Sequence, residues 1–113
     1  MEITRHGIGP LMSQAVVRGD TVHLAGQVGR GETVGEQTRA VLSAIDGLLA
    51  AAGSEKSRIL SANVWLTDIG TIGEMNEAWR EWVDPENPPA RATVEARLAA
   101  PEYLVEIMVV AAR

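Results

Sequence analysis

The chain contains no cysteine, which excludes disulfides and thiol chemistry and fits a reducing compartment. It has only two histidines, so a structural or catalytic zinc site is not expected, nor is any other metal or cofactor. No stretch approaches the roughly 20 apolar residues that a membrane span requires. The opening Met1-Glu2-Ile3-Thr4-Arg5-His6 lacks the apolar centre of a signal peptide. A cytoplasmic, soluble protein is the expectation. There is no basic run, and the net charge is -5, so neither nucleic acid nor a membrane is an expected partner. Repeats, linkers and low-complexity segments are also missing.

What is present suffices for a core. The 113 residues are 46% hydrophobic, which suits one domain spanning 1-113 and rules out a disordered chain. Gly7-Ile8-Gly9-Pro10 reads as a turn-rich lead-in. Ser13 to Val17 and Thr21 to Ala25 read as two strands joined at Arg18-Gly19-Asp20, whose Gly and Asp suit a hairpin turn. From Val34 the apolar period lengthens. Val34, Val41, Ile45, Leu48, Leu49 and Ala52 form one helical stripe, and Gly53 supplies a stop. Gly47 inside this helix costs about 1 kcal/mol relative to Ala, so a close neighbour is expected there.

Ile59 to Thr67 is rich in β-formers and reads as a largely buried strand, reached by a crossover. Thr71-Ile72-Gly73-Glu74 has capping-box spacing and opens a second helix. Ile72, Met75, Trp79 and Trp82 share one face of that helix, which suits packing on a sheet better than an aromatic ligand platform. Asp84 to Pro89 is the exit loop. Strands follow from Ala92 to about Leu98 and from Tyr103 to Ala111. In the last strand Val105, Ile107 and Val109 share one face, and Glu106, Met108 and Val110 the other.

The predicted order is β-β-α-β-α-β-β: an α+β fold, one mixed sheet with both helices on one face. The opposite face is left bare. It carries His23, Ala25 and the half-apolar Glu106–Met108–Val110 row, which argues for burial against another subunit.

Pro88-Pro89-Ala90-Arg91 holds an arginine on a braced backbone at the entrance to a strand. A guanidinium is a planar fork that matches a carboxylate at two points. Arg91 thus reads either as a surface salt-bridge partner or as a clamp on a small acid. His23 lies on the bare face with Ala25. It reads either as an interface histidine or as a proton shuttle, since imidazole changes charge near neutral pH. Glu95 reads as the partner of a nearby arginine, and Asn76 as a ligand to a loop backbone.

Several motifs together resemble the Rid (YjgF/RidA) family. These are Gly9-Pro10, Ser13-Gln14-Ala15-Val16, Gly26-Gln27, Ala52-Gly53-Ser54, Met75-Asn76 and Pro89-Ala90-Arg91, in family order over nearly the whole chain. The family's best-known activity is the 2-iminobutanoate/2-iminopropanoate deaminase reaction. The resemblance implies a chorismate-mutase-like fold assembled as a homotrimer with clefts between subunits. It implies that Arg91 binds a substrate carboxylate. It also implies an enamine/imine deaminase: a hydrolase that converts small 2-imino acids to 2-keto acids and ammonia.

The departures from the family point to a divergent subgroup. Met108 stands where active members carry a last-strand glutamate, and Glu106 lies two residues earlier on the same strand face, roughly 6–7 Å away. Leu11 and Met12 replace the tyrosine beside Gly-Pro. Ala25 replaces a serine or threonine. The expected site therefore has Arg91, Ala25, Met12 and Met108 against substrate, with Glu106 and His23 as the candidate catalytic groups. The alternative is a non-catalytic trimer of the same fold that binds a small carboxylate or metabolite.

Overall fold

In the computed structural model, which describes all 113 residues, a six-stranded sheet carries two helices on one face. The strands are β1 (Ile3–Ile8), β2 (Ser13–Arg18), β3 (Thr21–Leu24), β4 (Ile59–Leu66), β5 (Ala90–Glu95) and β6 (Val105–Ala112). The helices are α1 (Val34–Ala51) and α2 (Ile72–Trp82). Laterally the strands run β1-β2-β3-β6-β4-β5. β4 and β5 are parallel and joined by α2, while every other neighbouring pair is antiparallel. The expected β-β-α-β-α-β-β order is present, preceded by one further strand. No helix is long and apolar enough to cross a membrane.

The added strand β1 runs through residues given no element from sequence and ends inside the Gly7–Pro10 lead-in, at Ile8. It pairs only with β2, and all its residues but His6 are exposed. With no buried face it leaves no alternating apolar pattern to read. β4 also differs from expectation. Ile59, Ala62, Val64 and Leu66 are buried, whereas Leu60 and Asn63 are exposed and Ser61 and Trp65 lie between. It is an alternating strand with one covered face, because both helices lie on the same side.

The core is built where Leu42, Ile45 and Leu49 of α1 and Met75 and Trp79 of α2 meet Val22, Val64, Leu66, Ile107 and Val109 of the sheet. Truncating a buried Leu or Ile in such a core costs about 2–5 kcal/mol. Gly53 adopts φ of 81°, the left-handed conformation that ends α1 as expected. The expected close neighbour of Gly47 is absent: nothing lies within 4 Å of where its Cβ would stand, on the exposed side of α1.

The capping-box expectation is also corrected. Thr71 makes no side-chain cap, and Glu74 Oε2 accepts the Gly35 N–H of α1 at 2.7 Å. A carboxylate is well placed there, against the free N–H groups and positive dipole end of the longer helix. Thr33 Oγ1 completes the α1 cap by accepting the Glu36 N–H. β5 begins and ends earlier than expected. The chain leaves the sheet after Glu95, apart from the Ala96 N–H that donates to Leu66 O at 2.9 Å. β6 starts only at Val105, because the Leu104 N–H is taken by the buried Gln37 side chain at 2.8 Å.

Candidate functional site

The site residues expected from sequence lie on two different faces of the sheet. Arg91 pairs beside Ala62 in the β4–β5 register and so points to the helix-covered side. Glu106 pairs beside Trp65, Met108 beside Asn63 and Val110 beside both Ser61 and His23, all on the bare side. This separation follows from the strand register across β5, β4 and β6. One chain therefore cannot bring Arg91 and Glu106 onto a single small molecule.

On the covered side Arg91 is half-buried at the edge of the sheet. Its Nη2 donates to Asn76 Oδ1 at 2.7 Å, and its Nη1 lies 3.9 Å from Met75 Sδ. The guanidinium carbon sits 5.1 Å from the centre of the Trp79 ring. No carboxylate joins it, since the one ion pair of the chain is Arg39–Glu81 at 3.4 Å. Loss of water around the group lowers the Arg91 pKa from its ordinary value. The salt-bridge reading of Arg91 thus fails within the chain. Its charge is instead held by an amide oxygen and an aromatic face.

Two neighbouring expectations need correction. Asn76 accepts from Arg91 rather than from a loop backbone. Glu95 accepts the Ile69 N–H at 3.1 Å rather than an arginine, because it sits beside the turn that opens α2.

Thr93 is the residue that sequence reasoning missed. It lies two positions beyond Arg91 on the same face, and its hydroxyl is buried with no hydrogen-bond partner. A buried hydroxyl without a partner is costly. Applying the two-residue period of a strand to Arg91 points to it directly.

On the bare side Glu106 packs against Gly26. A Cβ on Gly26 would stand 2.1 Å from Glu106 Oε2, so glycine lets the carboxylate rest in this position. The Gly26-Gln27 turn is clamped to β6 by Gln27 N–H to Ile107 O at 2.8 Å and Ile107 N–H to Gln27 O at 3.1 Å. Gln27 Nε2 also donates to Gln14 Oε1 at 2.9 Å and to Ala25 O at 3.1 Å. A hollow of about 210 Å³ opens beside Glu106, lined by Trp65, Ala96, Arg97, Leu98 and Ala99.

His23 is exposed and sits beside Val110, four residues along β6 from Glu106 and hence roughly 13 Å away. The two candidate proton-transfer groups are not brought together, and Met108 lies between their positions. Met12 is 57% and Leu11 90% exposed at the tip of the β1–β2 hairpin. Ala25 continues from β3 towards the Gly26 turn.

Known proteins extend this picture. The family description "Endoribonuclease L-PSP" matches residues 7–113. A RutC family protein of Haemophilus influenzae is 45% identical over 103 residues, which are 88% of this chain and 89% of that one. The crystal structure of a YjgF family member from Neisseria meningitidis superposes with a TM-score of 0.99 at 46% identity. It covers all of this chain and 96% of that one. A Rid family protein from Yersinia pestis superposes with a TM-score of 0.87 at 31% identity, covering 94% of this chain and 90% of that one. Sheet order, helix placement and sequence agree, and the chain belongs to the YjgF/Rid family with its chorismate-mutase-like α+β fold.

Proposed function

We propose that the protein hydrolyses small 2-imino acids, or the enamines that tautomerise to them, to 2-keto acids and ammonia. The observation that carries this reading is Arg91: a half-buried, oriented guanidinium with no carboxylate partner in its own chain. Two of its N–H groups are engaged, and a guanidinium has five, so donors remain for a ligand carboxylate. The Thr93 hydroxyl, buried without a partner, lies two residues along the same face.

The chemistry then needs one water and one proton carrier. The imine nitrogen is protonated, which makes C2 electrophilic. Glu106 takes a proton from water as its oxygen bonds to C2. Glu106 returns that proton to the carbinolamine nitrogen, the hydroxyl releases its proton to solvent in place of the one the imine took up, the C–N bond breaks, and ammonia leaves the 2-keto acid. The protein's share is orientation of the acid and general acid–base assistance. No cofactor enters these steps.

Because Arg91 and Glu106 face opposite sides of the sheet, the working site requires two copies of the chain. One supplies Arg91 and Thr93. The other supplies Glu106 with the apolar wall of Ala25, Met108 and Met12. A homotrimer with a cleft at each junction meets this requirement. It would also cover the bare face, where Val16, Trp65, Met108 and Val110 are only partly buried.

The test generates the imine with an amino-acid oxidase and traps the remainder with semicarbazide. Less trapped product on adding the protein supports the reading, and no change across several amino acids overturns it. A second reading, a trimer that holds a 2-keto acid without turnover, is favoured by the apolar Ala25 and Met108. Calorimetric binding of 2-keto acids alongside an inactive imine assay would establish it. The charge of -5 argues against carrying over ribonuclease activity from the family's descriptive name.

A further inference from the structure

We infer that Trp79 is the positioning residue of the carboxylate clamp and that its indole reports ligand binding, an inference that rests on the reading of Arg91 above.

The guanidinium is held from one side by α2. Met75, Asn76 and Trp79 sit at positions i, i+1 and i+4 of that helix, so one turn presents a thioether, an amide oxygen and a ring to the same group. The amide fixes one end of the fork. An arginine side chain keeps several rotatable bonds, so a second restraint is needed to set the plane. The Trp79 ring, 5.1 Å from the guanidinium carbon, is the contact that can set it.

Trp79 is itself immobilised. It is 8% exposed, and Trp82 meets it edge to face with centroids 5.3 Å apart at 61°. The Trp82 Nε1–H is shared between both Asp46 carboxylate oxygens at 3.0 Å. Asp46 belongs to α1, so the clamp's orientation is anchored through two aromatic rings to the neighbouring helix. The expectation from sequence was that the two tryptophans serve packing alone. The structure adds a cation on the outer face of one of them.

A pre-set side chain need not be frozen when the ligand arrives. Freezing one long side chain weakens binding by about threefold to tenfold. A carboxylate closing on Arg91 also cancels much of the positive charge that the Trp79 ring faces, which alters indole emission. The affinity effect is not expected of a ring that only fills space.

The experiment uses the full chain with 2-oxobutanoate as probe, read by calorimetry and by tryptophan fluorescence, beside the imine-trapping assay for KM and kcat. Trp79→Leu should raise Kd and KM about threefold to tenfold and leave kcat near wild type, because the reacting carbon is not touched. Trp79→Phe keeps a ring under the cation. It should retain affinity and lose the emission change. A folded Trp79→Leu protein that binds as tightly as wild type overturns the inference. If Trp79→Leu does not fold, Trp79→Phe decides alone: an emission change that survives the substitution overturns the inference, and its loss with affinity kept supports it. Wild-type protein that binds no 2-keto acid overturns the carboxylate clamp itself, and the role of Trp79 with it.

Discussion

Replacing Arg91 by alanine separates the carboxylate clamp from a structural arginine. In the clamp, two charge-assisted hydrogen bonds are lost, each about 1.5–3 kcal/mol. Even one of them at the lower figure corresponds to about a tenfold weaker Kd, which sets the minimum effect. The cost to the fold is small by comparison. The Nη2–Asn76 bond and the Trp79 contact disappear, the latter worth about 0.5–1 kcal/mol at a part-exposed position. Against this, the alanine variant no longer carries a charge stripped of water. Net stability should shift by no more than about 1 kcal/mol, or a few degrees in Tm for a domain of this size.

The sign of the pH dependence follows from the same burial. A lowered guanidinium pKa means that the folded chain holds this proton less tightly than the unfolded chain does. The resulting cost is constant through neutral pH and lifts only in strong alkali, so the Arg91→Ala effect should be the same at about pH 6 and about pH 8. The assay pairs calorimetric titration of 2-oxobutanoate with thermal melting and light scattering of the same samples. Arg91→Lys should rescue little, since an ammonium cannot reproduce the planar fork. Melting or subunit dissociation of Arg91→Ala would refute the reasoning, because the arginine would then be holding an interface rather than a ligand.

Other residues offer independent checks. Glu106→Gln should lower imine turnover by about a hundredfold or more while leaving 2-keto acid binding intact, and unchanged turnover removes Glu106 as the proton carrier. Gly26→Ala places a Cβ 2.1 Å from the present position of Glu106 Oε2 and so displaces the carboxylate, and kcat should fall with little change in melting; unchanged kcat would show that this carboxylate position is immaterial. Gly47→Ala meets no atom within 4 Å and should stabilise the protein by about 0.5–1 kcal/mol in urea unfolding. Gln37→Ala should cost about 2–5 kcal/mol in the same measurement. The buried Gln37 amide donates to Gly31 O and Glu102 O and accepts from the Leu104 N–H, and all three backbone groups would lose their partner.

The sequence by itself determined most of the elements and the faces they bury. Val34 to Leu49 and Ile72 to Trp82 carry a 3.6-residue stripe, and Val105, Ile107 and Val109 carry a period of two, so local geometry alone assigns each residue to a side. It also singled out Arg91, because a double proline before a strand is a local constraint. β1 escaped because an edge strand with both faces in water has no apolar period to detect. Thr71–Glu74 misled because a carboxylate three residues after a threonine is free to cap another helix, and only the α1–α2 packing decides which. The unpartnered Thr93 hydroxyl, the Asn76 and Trp79 cradle and the Gly26 recess under Glu106 all depend on segments 12 to 80 residues apart in the chain. The separation of Arg91 and Glu106 onto opposite faces was decided by tertiary structure alone. It follows from strand register across β5, β4 and β6, which hydrogen bonds between distant segments set and no local pattern encodes.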